Sequence, residues 1–331
     1  MAEIDIQTVR ELLSGHEGQT VTLDWVRSEL QVVRNTRSWE RIREMMPELR
    51  HQKLVKPTGR QGEFKIIRQV ERVNVHESQR KPPLELFFPR DYETGQELLF
   101  FRNIVFYEGD LVLITGFTNK GKTGLVMNWV AELIEFHPVL MGNEFTDVDM
   151  KAKPRFLDRL DKMDWVEWSN GNGEDKFELY PVQEDFAEHV VKDRINFIDW
   201  IDNSGDYSKA SQILRDAKLA IGKGILVAVL QMNPGVGHAM GGYQTQHYVD
   251  CEIQLDNFGD MKDEILLTVG KVKQATKPVM GKTYNFYLQN GVKIMNFHEV
   301  VKCRGCGGTG KTGKNRETDC DRCYGVGWQG K

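Results

Sequence analysis

Eight consecutive residues, Gly116-Phe117-Thr118-Asn119-Lys120-Gly121-Lys122-Thr123, fit the pattern G-x-x-x-x-G-K-[ST]. That loop cradles nucleotide phosphates. Its glycines let the backbone turn tightly, so that N–H groups point inward at phosphate oxygens. Lys122 is placed to reach the β- and γ-phosphates of ATP, and the Thr123 hydroxyl to take Mg²⁺. With Gly124 at the start of the next helix, the ATP-binding set runs from Gly116 to Gly124. A second group lies near the end of the chain. Cys303-Arg-Gly-Cys306 and Cys320-Asp-Arg-Cys323 are two C-x-x-C pairs, each followed by x-G-x-G. Each pair can place two thiolates on one metal, and four complete a tetrahedral Zn²⁺ site with no open position. The remaining cysteine, Cys251, falls in an apolar strand pattern and is expected to be a buried core thiol.

The phosphate loop needs a strand before it and a helix after it. Asp110-Leu-Val-Leu-Ile-Thr115 is a short apolar run that predicts a buried strand, and Leu125 to Ile134 predicts a helix with an apolar face. The helix N-terminus adds positive potential at the phosphate position. Three further strand ends suit the same site. Pro138–Met141 leads to Gly142-Asn143-Glu144, a carboxylate able to orient and deprotonate an attacking water. Ile195–Ile198 ends at Asp199, which suits a Mg²⁺-site carboxylate, and Gly224–Leu230 ends at Gln231, placed to sense a γ-phosphate. Any one of these is a common strand-end polar residue; three in order behind a phosphate loop make a constellation.

The rest of the chain divides around this core. Residues 101–300 alternate apolar strands with helical stretches, which predicts an α/β domain with a mostly parallel sheet and helices on both faces. Residues 71–100 hold Lys81-Pro82-Pro83 and few periodic signals, and are expected to be a linker. Residues 301–331 form the cysteine module. Residues 1–70 carry three short amphipathic patterns, on Ile6/Val9/Leu12/Leu13, on Leu23/Val26/Leu30/Val33 and on Trp39/Ile42/Met45/Met46/Leu49. The third is expected to start at Ser38 as N-cap. A strand–turn–strand pattern follows over 54–67.

Net charge is −4, so no overall basic field demands a polyanion partner. Locally, residues 27–68 hold eleven basic against five acidic residues. That excess suits contacts to duplex DNA, with Arg37, Arg41, Arg43, Lys56 and Arg60 as candidates. The alternative is a solvated basic face on a protein-docking module. No apolar run is long enough to span a membrane and no signal pattern opens the chain, so no membrane partner is expected and the expected location is cytoplasmic.

Three resemblances follow from these residues. Three short helices and a hairpin resemble a winged helix, a small α+β domain. The order Gly116…Thr123, Asn143-Glu144, Ile198-Asp199-Trp200-Ile201, Leu230-Gln231-Met232-Asn233 resembles the RecA-like motor domain, most like DnaB-type replicative helicases, over about residues 100–297. This implies Glu144 as catalytic base, Asp199 as Mg²⁺-site carboxylate, Gln231 as coupling residue, and a ring of subunits, a homo-hexamer, with ATP between neighbours. It also implies a Lys-x-Arg donated in trans. The matching stretch is Lys271-Val272-Lys273, where lysine replaces arginine and offers a point charge rather than a planar fork. The alternative is a pair of solvated lysines. Pro234 stands where the family pattern has arginine. The glycine-rich loop 234–247 corresponds to loops that touch single-stranded DNA, with Tyr243, Gln244 and His247 as candidate contacts; the alternative is a plain surface loop, and it holds no lysine or arginine. The cysteine module resembles one unit of the zinc modules of DnaJ-type chaperones, a zinc knuckle.

Together these imply an ATP-hydrolysing motor, a helicase or translocase on single-stranded DNA in replication or recombination, from a bacterial or viral genome. Two alternatives stay open. One is a non-unwinding ATPase: a clamp, a loader or a recombination mediator. The other is a winged-helix regulator gated by nucleotide.

Overall fold

The computed structural model describes residues 4–70, 72–201, 207–232, 242–259, 261–313 and 317–331. The chain forms two compact units, 1–80 and 81–331.

The first unit contains α1 (Ile6–Ser14), β1 (Thr20–Thr22), α2 (Leu23–Glu29), α3 (Arg37–His51), β2 (Val55–Pro57) and β3 (Glu63–Ile66). Each helix starts on a side-chain cap. Asp5 accepts from the Thr8 N–H, Thr22 from Trp25 and Thr36 from Trp39. The cap of α3 is therefore Thr36, two residues before the expected Ser38; both are hydroxyl residues, and the one whose oxygen meets the third N–H onward sets the start. The three strands form an antiparallel sheet in the order β1-β3-β2, with Val21 opposite Phe64 and Val55 opposite Ile66. Strand β1 is too short to announce itself by alternation. Val9, Leu13, Val26, Ile42, Leu49, Phe64 and Ile66 close one small core.

The second unit is built on one ten-stranded sheet. Its elements are β4 (Leu111–Gly116), α4 (Lys122–Glu132), β5 (Val139–Met141), α5 (Pro154–Asp161), β6 (Glu178–Tyr180), α6 (Phe186–His189), β7 (Ile195–Ile198), α7 (Tyr207–Ala220), β8 (Ile225–Gln231), β9 (Cys251–Phe258), β10 (Met261–Val272), β11 (Thr283–Gln289), β12 (Lys293–Lys302), the small pair β13 (Lys311–Thr312) and β14 (Thr318–Asp319), and β15 (Trp328–Gly330). Strand order is β15-β12-β11-β10-β9-β4-β8-β7-β5-β6. The six strands from β9 to β6 run parallel, and β10, β11, β12 and β15 add antiparallel ribbons to one side.

Central strands are continuously apolar because both faces are covered. Along β4, Val112 and Ile114 face the core under α4, whereas Leu111 and Leu113 face the core under α6 and α7. Trp129 on α4 is the hub of the first core, its ring 4.8 Å from Phe101, 5.9 Å from Phe88 and 6.2 Å from Phe197. Its indole N–H donates to the Phe87 carbonyl. Residues 84–106, most of them inside the stretch expected to be a linker, thus form a strap on the core: Phe88, Leu98, Phe100 and Phe101 are buried. Buried Asp91 fixes the strap by accepting the N–H groups of Thr94 and Phe297. The strap has no regular period, so its apolar residues carried no element signal.

The cysteine tail is docked rather than loose. Strand β15 pairs with β12, Lys302 opposite Trp328, and Val326 and Trp328 pack on Phe258, Leu266 and Val300. Among the described residues, no helix is long and apolar enough to cross a membrane.

Candidate active site

The phosphate loop leaves β4 at Gly116 and enters α4 at Lys122, as the strand–loop–helix pattern requires. Gly121 takes a left-handed conformation, φ +73°, and a Cβ there would lie 2.7 Å from Ile265 Cδ1 and Leu288 Cδ1. The left-handed backbone favours glycine here, and the loop lies directly against side chains of β10 and β11. Asn128 locks α4 from behind, its amide donating to the carbonyls of Gly124 and Val292.

A cleft of about 750 Å³ opens above the loop. Into it come residues 118–124, Glu144 beyond β5, Asp199 at the end of β7, Gln231 at the end of β8, and Lys153, Arg155 and Arg159 around α5. β5 and β7 are held close at their ends: a Cβ on Gly142 would meet the Asp199 carbonyl oxygen at 2.2 Å. That approach sets Glu144 beside Asp199.

Each group has a defined state. Lys122 Nζ donates to the carbonyls of Gly116 (2.9 Å) and Phe117 (2.6 Å). Burial pushes its pKa down, against the pull of the Asp199 and Glu144 charges. Asp199 is buried, and desolvation pushes its carboxyl up to about 6; the Thr123 hydroxyl bond opposes this and the Glu144 charge adds to it. Its Oδ2 is buried with no hydrogen-bond partner among the described residues. A buried carboxylate oxygen left unpaired beside a threonine hydroxyl is a donor set that a hard divalent cation satisfies, so Thr123 and Asp199 fit Mg²⁺. Glu144 Oε1 accepts from the Trp200 indole at 3.0 Å, which orients it. Gln231 Nε2 donates to Thr118 Oγ1, so the β8 end touches the phosphate loop.

The structure therefore brings together in one cleft the loop residues, Glu144, Asp199 and Gln231. Lys271 and Lys273 lie elsewhere. Val272 pairs with Cys251, and Cys251 with Val112, four residues before Gly116, roughly 13 Å down the strand. Lys273 Nζ, itself exposed, is 2.5 Å from Oδ1 of buried Asp250, which also pairs with Lys218. Lys271 Nζ donates to the Gln246 carbonyl. Sequence reasoning missed Arg155 and Arg159. They occupy an eight-residue helix with no motif of its own, and only the four-residue spacing marks them as sharing a helix side.

The four thiol sulfurs of Cys303, Cys306, Cys320 and Cys323 lie within 4.8 Å of one another. Backbone N–H groups of Gly305, Gly310 and Gly327 donate to Cys303, Cys306 and Cys323 at 3.2–3.3 Å. Four converging thiols with amide donors behind them fit Zn²⁺. Cys251 is buried in β9, where burial raises its thiol pKa.

In the first unit, Arg37 and Arg43 on α3, Lys56 on β2 and Arg60 in the β2–β3 turn are exposed, while Arg41 is half-buried. Arg60 lies 3.7 Å from Glu63. His247 ends the short helical turn Gly242–His247 and is exposed. The side chains of Tyr243 and Gln244, and residues 233–241 of the glycine-rich loop, lie outside the described residues.

No family model and no curated protein matches this sequence. Among solved structures, this chain is similar to the RadB recombinase (13% identity, 57% of this chain and 91% of that one, TM-score 0.40). It is also similar to a KaiC-like protein from the hyperthermophilic archaeon Pyrococcus horikoshii OT3 (16% identity, 64% and 97%, TM-score 0.42). At these values neither lends its activity to this chain.

Proposed function

We propose that this chain is a RecA-like ATPase that works on DNA as a ring-forming motor. The observation that carries the reading is the convergence, in one cleft, of the phosphate loop, the Thr123–Asp199 pair, Glu144 and Gln231 from four separate strand ends. In this reading the loop amides and Lys122 hold the phosphates, and Lys122 exchanges its loop carbonyls for β- and γ-oxygens. Glu144, held by the Trp200 indole, takes a proton from the attacking water. Gln231, in contact with the loop through Thr118, senses the γ-phosphate and passes its loss to the segment that follows β8. Mg²⁺ held by Thr123 and Asp199 would neutralise charge on the phosphate oxygens. The four cysteines hold a structural Zn²⁺. The helix–strand order of the first unit suits a winged helix meeting duplex DNA through Arg37, Arg43, Lys56 and Arg60, and the 234–247 loop would meet single strands inside a homo-hexameric ring in the cytoplasm.

The test is steady-state ATP hydrolysis alone, with single-stranded DNA and with duplex, with Lys122→Ala as blank. Stimulation by single strands that disappears in the blank supports a motor. Slow turnover with no response to any nucleic acid sinks it. A second reading, an ATPase that binds DNA without unwinding it, draws on Lys271 and Lys273: both bond to groups of their own chain, Gln246 and Asp250. Stimulated hydrolysis without strand displacement selects it.

A further inference from the structure

We propose that Arg159 of the same chain contacts the terminal phosphate of bound ATP, so that the positive group distinguishing ATP from ADP is supplied in cis from α5. The inference rests on the ATP-binding reading above.

Its basis is placement. Phe156 anchors α5, its ring 4.8 Å from Phe145 and 6.4 Å from Phe177, and is itself buried. Arg155 and Arg159, four apart on that helix, both line the cleft. Arg159 is half-buried, yet among the described residues it makes no hydrogen bond and no ion pair within 4 Å. A desolvated guanidinium with five unengaged donors is costly, and its planar fork matches a phosphate. The cleft walls hold five cationic side chains (Lys120, Lys122, Lys153, Arg155, Arg159) against three carboxylates (Glu144, Asp199, Asp263), a surplus suited to an anionic ligand.

Geometry orders these charges. Lys122 and Arg159 line the same cleft as Asp199 and Glu144, and both feel the charges of that carboxylate pair. The loop side takes the β- and γ-phosphates by its motif. Arg159 enters that cleft from α5 rather than from the loop, within reach of the Glu144 charge, which suits it to the outermost phosphate, the one nearest Glu144 and its water. The candidate lysines, by contrast, lie at the far end of their own sheet and are bound to Asp250 and Gln246.

The experiment measures binding of ATP and of ADP, both with Mg²⁺, by displacement of a fluorescent ADP analogue. Wild type is compared with Arg159→Gln, Arg159→Lys and Lys273→Ala. For Arg159→Gln, ATP affinity should fall about 10- to 100-fold, the loss of a charge-assisted bond. ADP affinity should move less than about 3-fold on the same grounds, Arg159→Lys should recover part of the ATP loss, and Lys273→Ala should keep the ATP preference. An equal fall for both nucleotides would mean that Arg159 merely balances Asp199 and Glu144, and overturns the proposal. So does an unchanged ATP preference. Mixing Lys122→Ala with Arg159→Gln chains gives a second check: no site in such a mixture holds both groups in cis, so regained turnover would place Arg159 in a neighbour's site and overturn the cis assignment. Wild type that binds neither nucleotide overturns the ATP-binding reading itself, and this proposal with it.

Discussion

The nucleotide cleft and the cysteine cluster solve one problem in opposite ways. In the proposed reading both aim glycine-rich backbone N–H groups at anions, phosphates in one and thiolates in the other. The cysteine cluster is local, built from 25 residues of one tail, and closed: its sulfurs lie within 4.8 Å and their amide donors are already in place. The cleft is assembled from the ends of four strands and one helix, and open. Among the described residues, Asp199 Oδ2 and Arg159 have no hydrogen-bond partner, and Lys122 donates to loop carbonyls alone. A closed site spends its binding on structure, whereas an open one keeps unsatisfied groups for a ligand that leaves again.

The largest effect expected from this contrast is loss of zinc. Structural zinc binding is worth about 10–16 kcal/mol in comparable small sites. Chelation, or Cys306→Ser, should release β15 from β12 and unprotect residues 303–331 in hydrogen exchange. ATP affinity should stay within about 2-fold, because the tail shares no residue with the cleft. Coupled loss of both would break the comparison by showing one cooperative site rather than two.

Next comes Glu144→Gln. Removing a general base costs about 10²–10⁴ in turnover. The amide still accepts the Trp200 indole bond, so nucleotide binding should persist. Turnover within tenfold of wild type would deny Glu144 its role.

The loop motif and the cysteine spacing were legible because each is contiguous, with chemistry encoded in residue type and offset. The strand-end Glu144, Asp199 and Gln231 were legible because apolar runs end at them. The α5 arginines were not: Phe156 seated among Phe145 and Phe177 places them, and that is tertiary packing. The strap 84–106 and the docking of β15 were hidden for the same reason. The trans role of Lys273 comes from the resemblance alone, and no sequence pattern signals its bond to Asp250.

Asp199 allows a smaller and signed test of openness. Its folded pKa is about 6, against 3.8 for an unperturbed aspartate. The folded state therefore holds the proton more tightly than the unfolded chain. That contribution is full below about pH 4 and is lost as pH rises through about 6. At pH 7.5 the ionised, metal-free carboxylate costs on the order of 3 kcal/mol. Asp199→Asn should then be more stable than metal-free wild type at pH 7.5, and the gap should shrink as pH falls and close below about pH 4. Mg²⁺ with nucleotide should stabilise wild type and leave the variant unmoved. A gap independent of pH would remove the buried charge as its cause.

The smallest effect is expected at Gly121, and it separates the two sites by what surrounds their glycines. At Gly310 in the tail, φ +73°, an added Cβ would meet the Gly325 carbonyl oxygen at 2.1 Å, backbone that cannot retreat without opening the cysteine turns. At Gly121, with the same φ, it would meet only the methyl ends of Ile265 and Leu288. Those side chains can rotate away, so Gly121→Ala should cost little more than the left-handed penalty of about 1–2 kcal/mol. Thermal unfolding reads it directly. A loss several times larger would mean that the wall formed by β10 and β11 is as rigid as the tail, and that openness in this cleft belongs to its charges rather than to its packing.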